Sequence, residues 1–176
     1  KPGLAKQHLT AVRAAATICD GEVEGDTLRS QTLRFSPKTI RGGAHTFDIG
    51  SAGSTTLVFQ TVLYPLLLGA SEASTVTIIG GTHNPMAPTF EYLDEIFLPL
   101  LRRMGARVSL RLERAGYYPK GGGRLVAEIE PSSRLAPLRL DQEASPVATM
   151  TARAVLSRLP DHIAARELAV LRQELG

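Results

Sequence analysis

Gly80, Gly81, Thr82, His83, Asn84, Pro85, Met86, Ala87 and Pro88 join a β-branched stretch, Thr75 to Ile79, to an amphipathic pattern through residue types that build loops around ligands. Glycine lets backbone N–H groups approach a phosphate or nucleotide, Thr82 and Asn84 bring neutral hydrogen bonds, and Pro85 and Pro88 stiffen the entry to the next helix. The same string suits an ordinary turn with a proline stop, because short motifs recur by chance. Three polar groups stand where the pattern asks for apolar ones: His8, Gln60, and His83 in the loop itself. A buried amide such as Gln60 costs about 1–3 kcal/mol if unsatisfied, so it is either bonded to backbone or aimed at a polar ligand. Gln7 and His8 diverge by about 100° on a helix, yet near a helix N-terminus both can border an anion.

Other chemistries lack their residues. Gly50, Ser51, Ala52, Gly53 misses the three-glycine dinucleotide spacing, and no Walker-type loop is present. His8, His45, His83 and His162 are scattered and Cys19 is the lone cysteine, so no metal-ligand spacing emerges. No Ser, His, Asp set is vouched for by spacing. Residue types alone therefore leave the catalytic identity open. The lone cysteine excludes an internal disulfide framework and fits a reducing compartment, so the expectation is cytoplasmic. The longest apolar run, Leu57 to Ala70, is interrupted by Gln60 and Pro65 and is short for a membrane span. With 176 residues, 43% hydrophobic and 21% charged, the chain has the make-up of a globular domain, its net charge only +3. Arg102, Arg103, Arg107, Arg111 and Arg114 form a basic cluster that either solvates a surface or meets an anion.

The elements that must position these residues follow from periodicity. Leu9, Val12, Ala16 and Cys19 recur at helical spacing, so Leu4 to Asp20 is expected as a helix with Gly21 as its C-cap. Thr32 to Phe35 and Thr46 to Ile49 alternate as strands with a turn at Gly42 and Gly43 between them. Ser54 to Leu68 is a nearly all-apolar helix with Pro65 bending its last turn, and Thr75 to Ile79 is a strand. Phe90, Leu93, Phe97, Leu100, Leu101 and Met104 stripe one helix, with acids at its start and bases at its end. Strands are expected over Arg107 to Glu113 and Arg124 to Glu130, with Tyr117 to Gly123 between them. Pro131 to Ala144 reads as a connector with one short strand, Val147 to Leu156 as a further strand, and Pro160 to Leu175 as a closing helix. The order argues for an α/β sandwich. Thr32 to Glu130 is expected to form one unit of two helices side by side on one face of a four-stranded sheet. Both ends of the chain read as cut inside a longer protein.

Taken together, five groups of residues resemble the RNA 3'-terminal phosphate cyclase family along almost the whole chain. They are Lys1, Pro2, Gly3, Leu4 with Gln7 and His8; Ile40, Arg41, Gly42, Gly43; Ile49 to Ser54 with Gln60; Gly80 to Pro88; and Tyr118, Pro119, Lys120 with three glycines. The resemblance implies a fold of repeated units, two helices on a four-stranded sheet, similar to enolpyruvyl transferases, plus a smaller inserted domain. Residues 1–158 would belong to the core and 159–176 would lead towards the insertion.

By the same resemblance, the intact protein uses ATP, with Mg2+ or Mn2+, to convert an RNA 3'-phosphate into a 2',3'-cyclic phosphodiester through enzyme-histidine-AMP and RNA-adenylate intermediates. Gln60 and Pro88 match positions lining the ATP site, and Gln7 and His8 match positions at its substrate-phosphate end. The family's nucleophilic histidine belongs to a C-terminal motif that nothing here matches, and its glycine-rich opening is missing before Lys1. Neither His83 nor His162 fills that gap, so this stretch alone is expected to be inactive. A non-catalytic cyclase-like protein, acting in RNA binding or ribosome assembly, is the alternative. A third reading, by fold analogy alone, is an enolpyruvyl-transferase-like enzyme that binds no ATP. The expected partner is RNA with a 3'-phosphate end, and no membrane.

Overall fold

The computed structural model describes residues 2–140 and 150–175, and the statements below concern those residues. The chain divides into two compact units, Lys1–Leu138 and Arg139–Gly176.

In the first unit, helix α1 (Lys6–Ile18) is followed by two short strands, β1 (Glu22–Glu24) and β2 (Arg34–Ser36). Strand β3 (Gly43–Asp48), helix α2 (Thr55–Gly69) and strand β4 (Ser74–Gly80) come next. A π-wound stretch, Tyr92–Phe97, runs directly into helix α3 (Leu98–Arg103), and strands β5 (Arg107–Arg114) and β6 (Gly123–Glu130) complete the unit. Pro99 has no N–H to offer and crowds the carbonyl four residues back, so it sits where α-winding is weakest, just after the π-wound stretch.

The main sheet has the order β3-β4-β6-β5, with β3 parallel to β4 and the remaining neighbours antiparallel. The parallel pair needs a crossover, and α2 supplies it. One face of the sheet is apolar: Phe47, Val76, Ile78, Leu125, Ala127, Ile129, Val108 and Leu110 join Val58, Phe59, Val62, Leu66, Leu93, Leu98 and Leu101 from the helices in a single core. Alternate strand residues, such as Thr75, Arg111, Arg124 and Glu128, are exposed on the other face. The expected arrangement of two helices on a four-stranded sheet is therefore present in β3 to β6 with α2 and α3. Helix α1 adds to it by packing against α2 and β3.

Several sequence expectations change. Thr46 to Ile49 does not turn back onto Thr32 to Phe35: β2 pairs with β1, an element that sequence pattern missed, and β3 pairs with β4. Helix α1 starts two residues later and ends two residues sooner than expected, and Asp20, at φ 47°, takes the left-handed position assigned to Gly21. Helix α2, by contrast, lies where expected, capped by Ser54 and running through Pro65 to Gly69, with tertiary packing of its apolar surface outweighing the lost hydrogen bond. No strand forms over 131–140 or 150–156, while residues 141–149, which include parts of both expected strands, lie outside the described residues, as does Lys1 of the first motif.

The second unit holds α4 (Asp161–Leu175), in which no residue is buried. Among the described residues no helix is long and apolar enough to cross a membrane.

Candidate functional site

Strand polarity brings three connections to one end of the sheet. Asp48 of β3 lies beside Ile79 of β4, which lies beside Arg124 of β6, and the β5–β6 turn closes next to them. The loops 49–54, 81–89 and 115–122 therefore leave the sheet together, at the carboxyl ends of the parallel strands, where open α/β sheets bind ligands.

The first loop is fixed from α1. Gln7 Oε1 accepts the Ser54 N–H at 2.6 Å, and Lys6 Nζ donates to the Gly50 carbonyl at 3.1 Å. A Cβ on Gly53 would stand 2.8 Å from Ile49 Cγ2 and 2.9 Å from Gln7 Cβ, so glycine is required there for α1 to approach. Ser54 caps α2 by accepting the Leu57 N–H at 3.3 Å, and its hydroxyl pairs with that of Thr56 at 2.7 Å. Gln7 thus reaches the α2 N-terminus, with its amide nitrogen making no hydrogen bond among the described residues. His8, next along the helix, points elsewhere: its Nδ1 accepts the Ala5 N–H at 3.3 Å across the first turn, and the residue is exposed.

The glycine loop is used differently from what its sequence suggests. Its first amides are spent on neighbouring loops: Gly81 N–H donates to Gly53 O at 2.7 Å and Thr82 N–H to Gly116 O at 2.9 Å. Gly81 O accepts both the N–H and the hydroxyl of Thr55, at 2.8 and 2.9 Å. The Thr82 side chain is 1% exposed and its oxygen accepts the Gly116 N–H at 3.0 Å. Asn84 Nδ2 donates to Ala52 O at 2.6 Å, which leaves its buried Oδ1 without a partner. The glycines serve close loop-to-loop approach; a Cβ on Gly81 would stand 2.3 Å from Ala52 O.

His83 links this loop to its surroundings on both sides. Its Nδ1 pairs with the Thr82 hydroxyl at 2.8 Å, its Nε2 with Glu91 Oε1 at 3.0 Å, and its ring stacks on Tyr117 with centroids 5.1 Å apart. Burial alone would raise the Glu91 carboxyl, but the hydrogen bond from His83 and lesser contacts outweigh it and hold it below its ordinary value. Residue types gave no hint of this chain of contacts, because Gly116, Tyr117 and Glu91 are ordinary residues until folding places them against Thr82 and His83.

Gln60 and Pro88 come to the same face of α2. Thr56 Oγ1 donates to the Pro88 carbonyl at 2.7 Å, and Gln60 lies four residues beyond Thr56, on the same side of the helix. Gln60 is half-buried, and its amide makes no hydrogen bond among the described residues. Of its two expectations, backbone bonding is not realised.

Ile40 to Gly43 is not part of this end. Arg41 N–H donates to Ile18 O at 2.7 Å and its side chain pairs with Asp20, while a Cβ on Gly42 would stand 2.3 Å from Glu72 O. The motif locks the start of β3 against the far ends of α1 and α2. Much of the arginine cluster is also accounted for by pairing: Arg107 with Glu130, Arg111 with Glu113, and Arg102 near Asp94. Among the described residues no group of three His, Cys, Asp or Glu side chains is placed to hold a metal ion.

Comparison with known proteins agrees with the motifs. A family model described as RNA 3'-terminal phosphate cyclase matches residues 1–170. The chain is 50% identical over 175 residues to the RNA 3'-terminal phosphate cyclase of Ectopseudomonas mendocina (strain ymp), covering 99% of this chain and 50% of that protein. It is 51% identical over 175 residues to the one from Pseudomonas fluorescens Pf-5, with the same coverage of each. Against the one from Salmonella enteritidis PT4 it is 48% identical over 171 residues, covering 97% of this chain and 50% of the relative. The chain thus spans about half the length of the curated relatives it matches. With that match extending over nearly every described element, the chain belongs to the RNA 3'-terminal phosphate cyclase family.

Proposed function

We propose that the intact protein is an enzyme that converts an RNA 3'-phosphate into a 2',3'-cyclic phosphodiester at the expense of ATP, in the cytoplasm. A phosphate monoester expels oxide poorly, so the phosphate is first activated. An imidazole supplied by the remainder of the protein attacks the α-phosphorus of ATP and releases pyrophosphate. An oxygen of the RNA 3'-phosphate then takes the AMP, freeing the imidazole. Finally the adjacent 2'-OH loses its proton, attacks the RNA phosphorus and expels AMP, so every phosphoryl bond broken is matched by one formed.

In this reading the present chain binds and orients. Gln60 and Pro88 line the ATP site and Gln7 lies at the substrate-phosphate end, where His8 joins it only by turning from the Ala5 N–H that its Nδ1 accepts. The observation that carries it is the shared face of α2: the Thr56–Pro88 hydrogen bond of 2.7 Å holds Pro88 one helical turn from Gln60, whose amide makes no hydrogen bond among the described residues. The unpartnered Asn84 Oδ1 in the same loop is a second polar atom that fits a bound nucleotide. Mg2+ or Mn2+ would neutralise the charge of the triphosphate.

Incubating the intact protein with ATP labelled in the α-phosphate is expected to give an acid-labile protein–AMP adduct, discharged by RNA carrying a 3'-phosphate. Failure to form that adduct refutes the reading.

A further inference from the structure

The turn between β5 and β6 ends in a tip that carries an aromatic ring and an ammonium group into solvent. Tyr118 is 84% exposed, and Pro119 and Lys120 beside it are exposed too. A lone exposed aromatic needs no explanation, but this tip stands on a base fixed at every side. Gly121 N–H donates to Tyr117 O at 2.8 Å, Gly116 is bonded to Thr82, and Tyr117 stacks on His83. Gly121, at φ 69°, lies so close to the first loop that a Cβ would stand 2.7 Å from Ala52 Cα and from Ser51 O.

That anchorage puts the tip next to the residues expected at the phosphate end. Gly121 rests on Ser51 and Ala52, Gly53 rests on Gln7, and Gln7 holds Ser54. Charge is compatible with the same place. Arg107 pairs with Glu130, and Arg111 and Arg124 share Glu113, while the exposed Lys120, like Arg114 at the end of β5, makes no ion pair or hydrogen bond among the described residues.

We propose that Tyr118 and Lys120 form a subsite for the nucleosides nearest the RNA 3'-end, a base stacking on the Tyr118 ring while the Lys120 ammonium meets a bridging phosphate. A stacking platform beside a cation is how proteins take up unpaired nucleic acid without reading its sequence. The occupant is single-stranded RNA. The inference rests on the cyclase reading above and adds to it where the strand lies upstream of the reacting phosphate.

The test is binding of a fluorescent single-stranded RNA ending in a 3'-phosphate to the intact protein, read by anisotropy without ATP. Tyr118→Ala is expected to weaken binding about tenfold while Tyr118→Phe keeps it, because stacking needs the ring and not the hydroxyl. Lys120→Ala is expected to weaken binding several-fold and to flatten the slope of log K against log salt by about 0.7. Adduct formation from ATP alone should be unchanged in all three. Wild-type RNA affinity in Tyr118→Ala, loss of binding in Tyr118→Phe, or a change of oligomeric state in place of a change in RNA affinity would each overturn the subsite. If no variant or wild-type protein forms the AMP adduct yet Tyr118→Ala still loses RNA, the subsite stands and the cyclase mechanism falls.

Discussion

The hydroxyl of Thr56 and the carbonyl of Pro88 are joined at 2.7 Å across 32 residues of sequence, tying the end of the glycine loop to the first turn of α2. Replacing Thr56 by valine keeps the shape and removes the donor. The Pro88 carbonyl then loses its protein partner, for an expected cost of about 1 kcal/mol in urea unfolding. Because Pro88 is also released, KM for ATP in the intact protein should rise several-fold with kcat little changed. Unaltered KM would mean that the tether serves stability alone.

Gln60 is half-buried and makes no hydrogen bond to the described protein, so its removal leaves no buried group unsatisfied. Gln60→Ala should therefore leave the melting temperature within about a degree or two, consistent with surface-like substitutions of under about 0.5 kcal/mol. ATP affinity is expected to drop about tenfold, the worth of one amide hydrogen bond pair. A lowered melting temperature with full ATP affinity would place Gln60 in the scaffold.

The Glu91 carboxyl is held below its ordinary value of 4.5, with burial opposing and the His83 hydrogen bond prevailing. A carboxyl lowered by folding contributes stability above its unfolded value, and that contribution is lost as pH falls through the lowered, folded value. Wild-type protein should therefore lose stability more steeply than Glu91→Gln as pH is brought from 6 to about 3, in urea titrations at each pH. Parallel curves for the two proteins would show that the His83–Glu91 contact has no part in acid unfolding.

Gly121 and Gly122 share left-handed backbone, at φ 69° and 68°, but not surroundings. A Cβ on Gly121 would meet Ala52 Cα at 2.7 Å, whereas one on Gly122 would meet nothing within 4 Å. Gly122→Ala should cost about 1–2 kcal/mol for the backbone strain alone. Gly121→Ala should cost more, because the backbone of the first loop has to move. It should also weaken RNA binding, since the tip that carries Tyr118 shifts with it. Equal unfolding free energies for the two variants would contradict the close approach.

Most helices and strands of the first unit were written locally, the short β1 being the exception. The apolar run around Leu57 to Leu68 dictated α2, and the alternation of Val108, Leu110 and Leu112 dictated β5, because periodicity alone fixes which side of an element can be buried. The glycine motifs pointed to loops, and the order of motifs pointed to the family. Which loops meet was not legible. Thr46 to Ile49 reads equally well beside Thr32 to Phe35 or beside Ser74 to Gly80, and only the shared core with α2 selects the parallel partner. Ile40 to Gly43 looks as suited to a ligand as Gly80 to Pro88, yet packing against Ile18 and Glu72 sends it to the opposite end. Gln7 at the Ser54 N–H, 47 residues apart, and Gly116 at Thr82, 34 apart, are contacts between ordinary polar groups. Sequence pattern is blind to them because a hydrogen bond between distant segments leaves no period in either one; the tertiary fold alone chooses the pair.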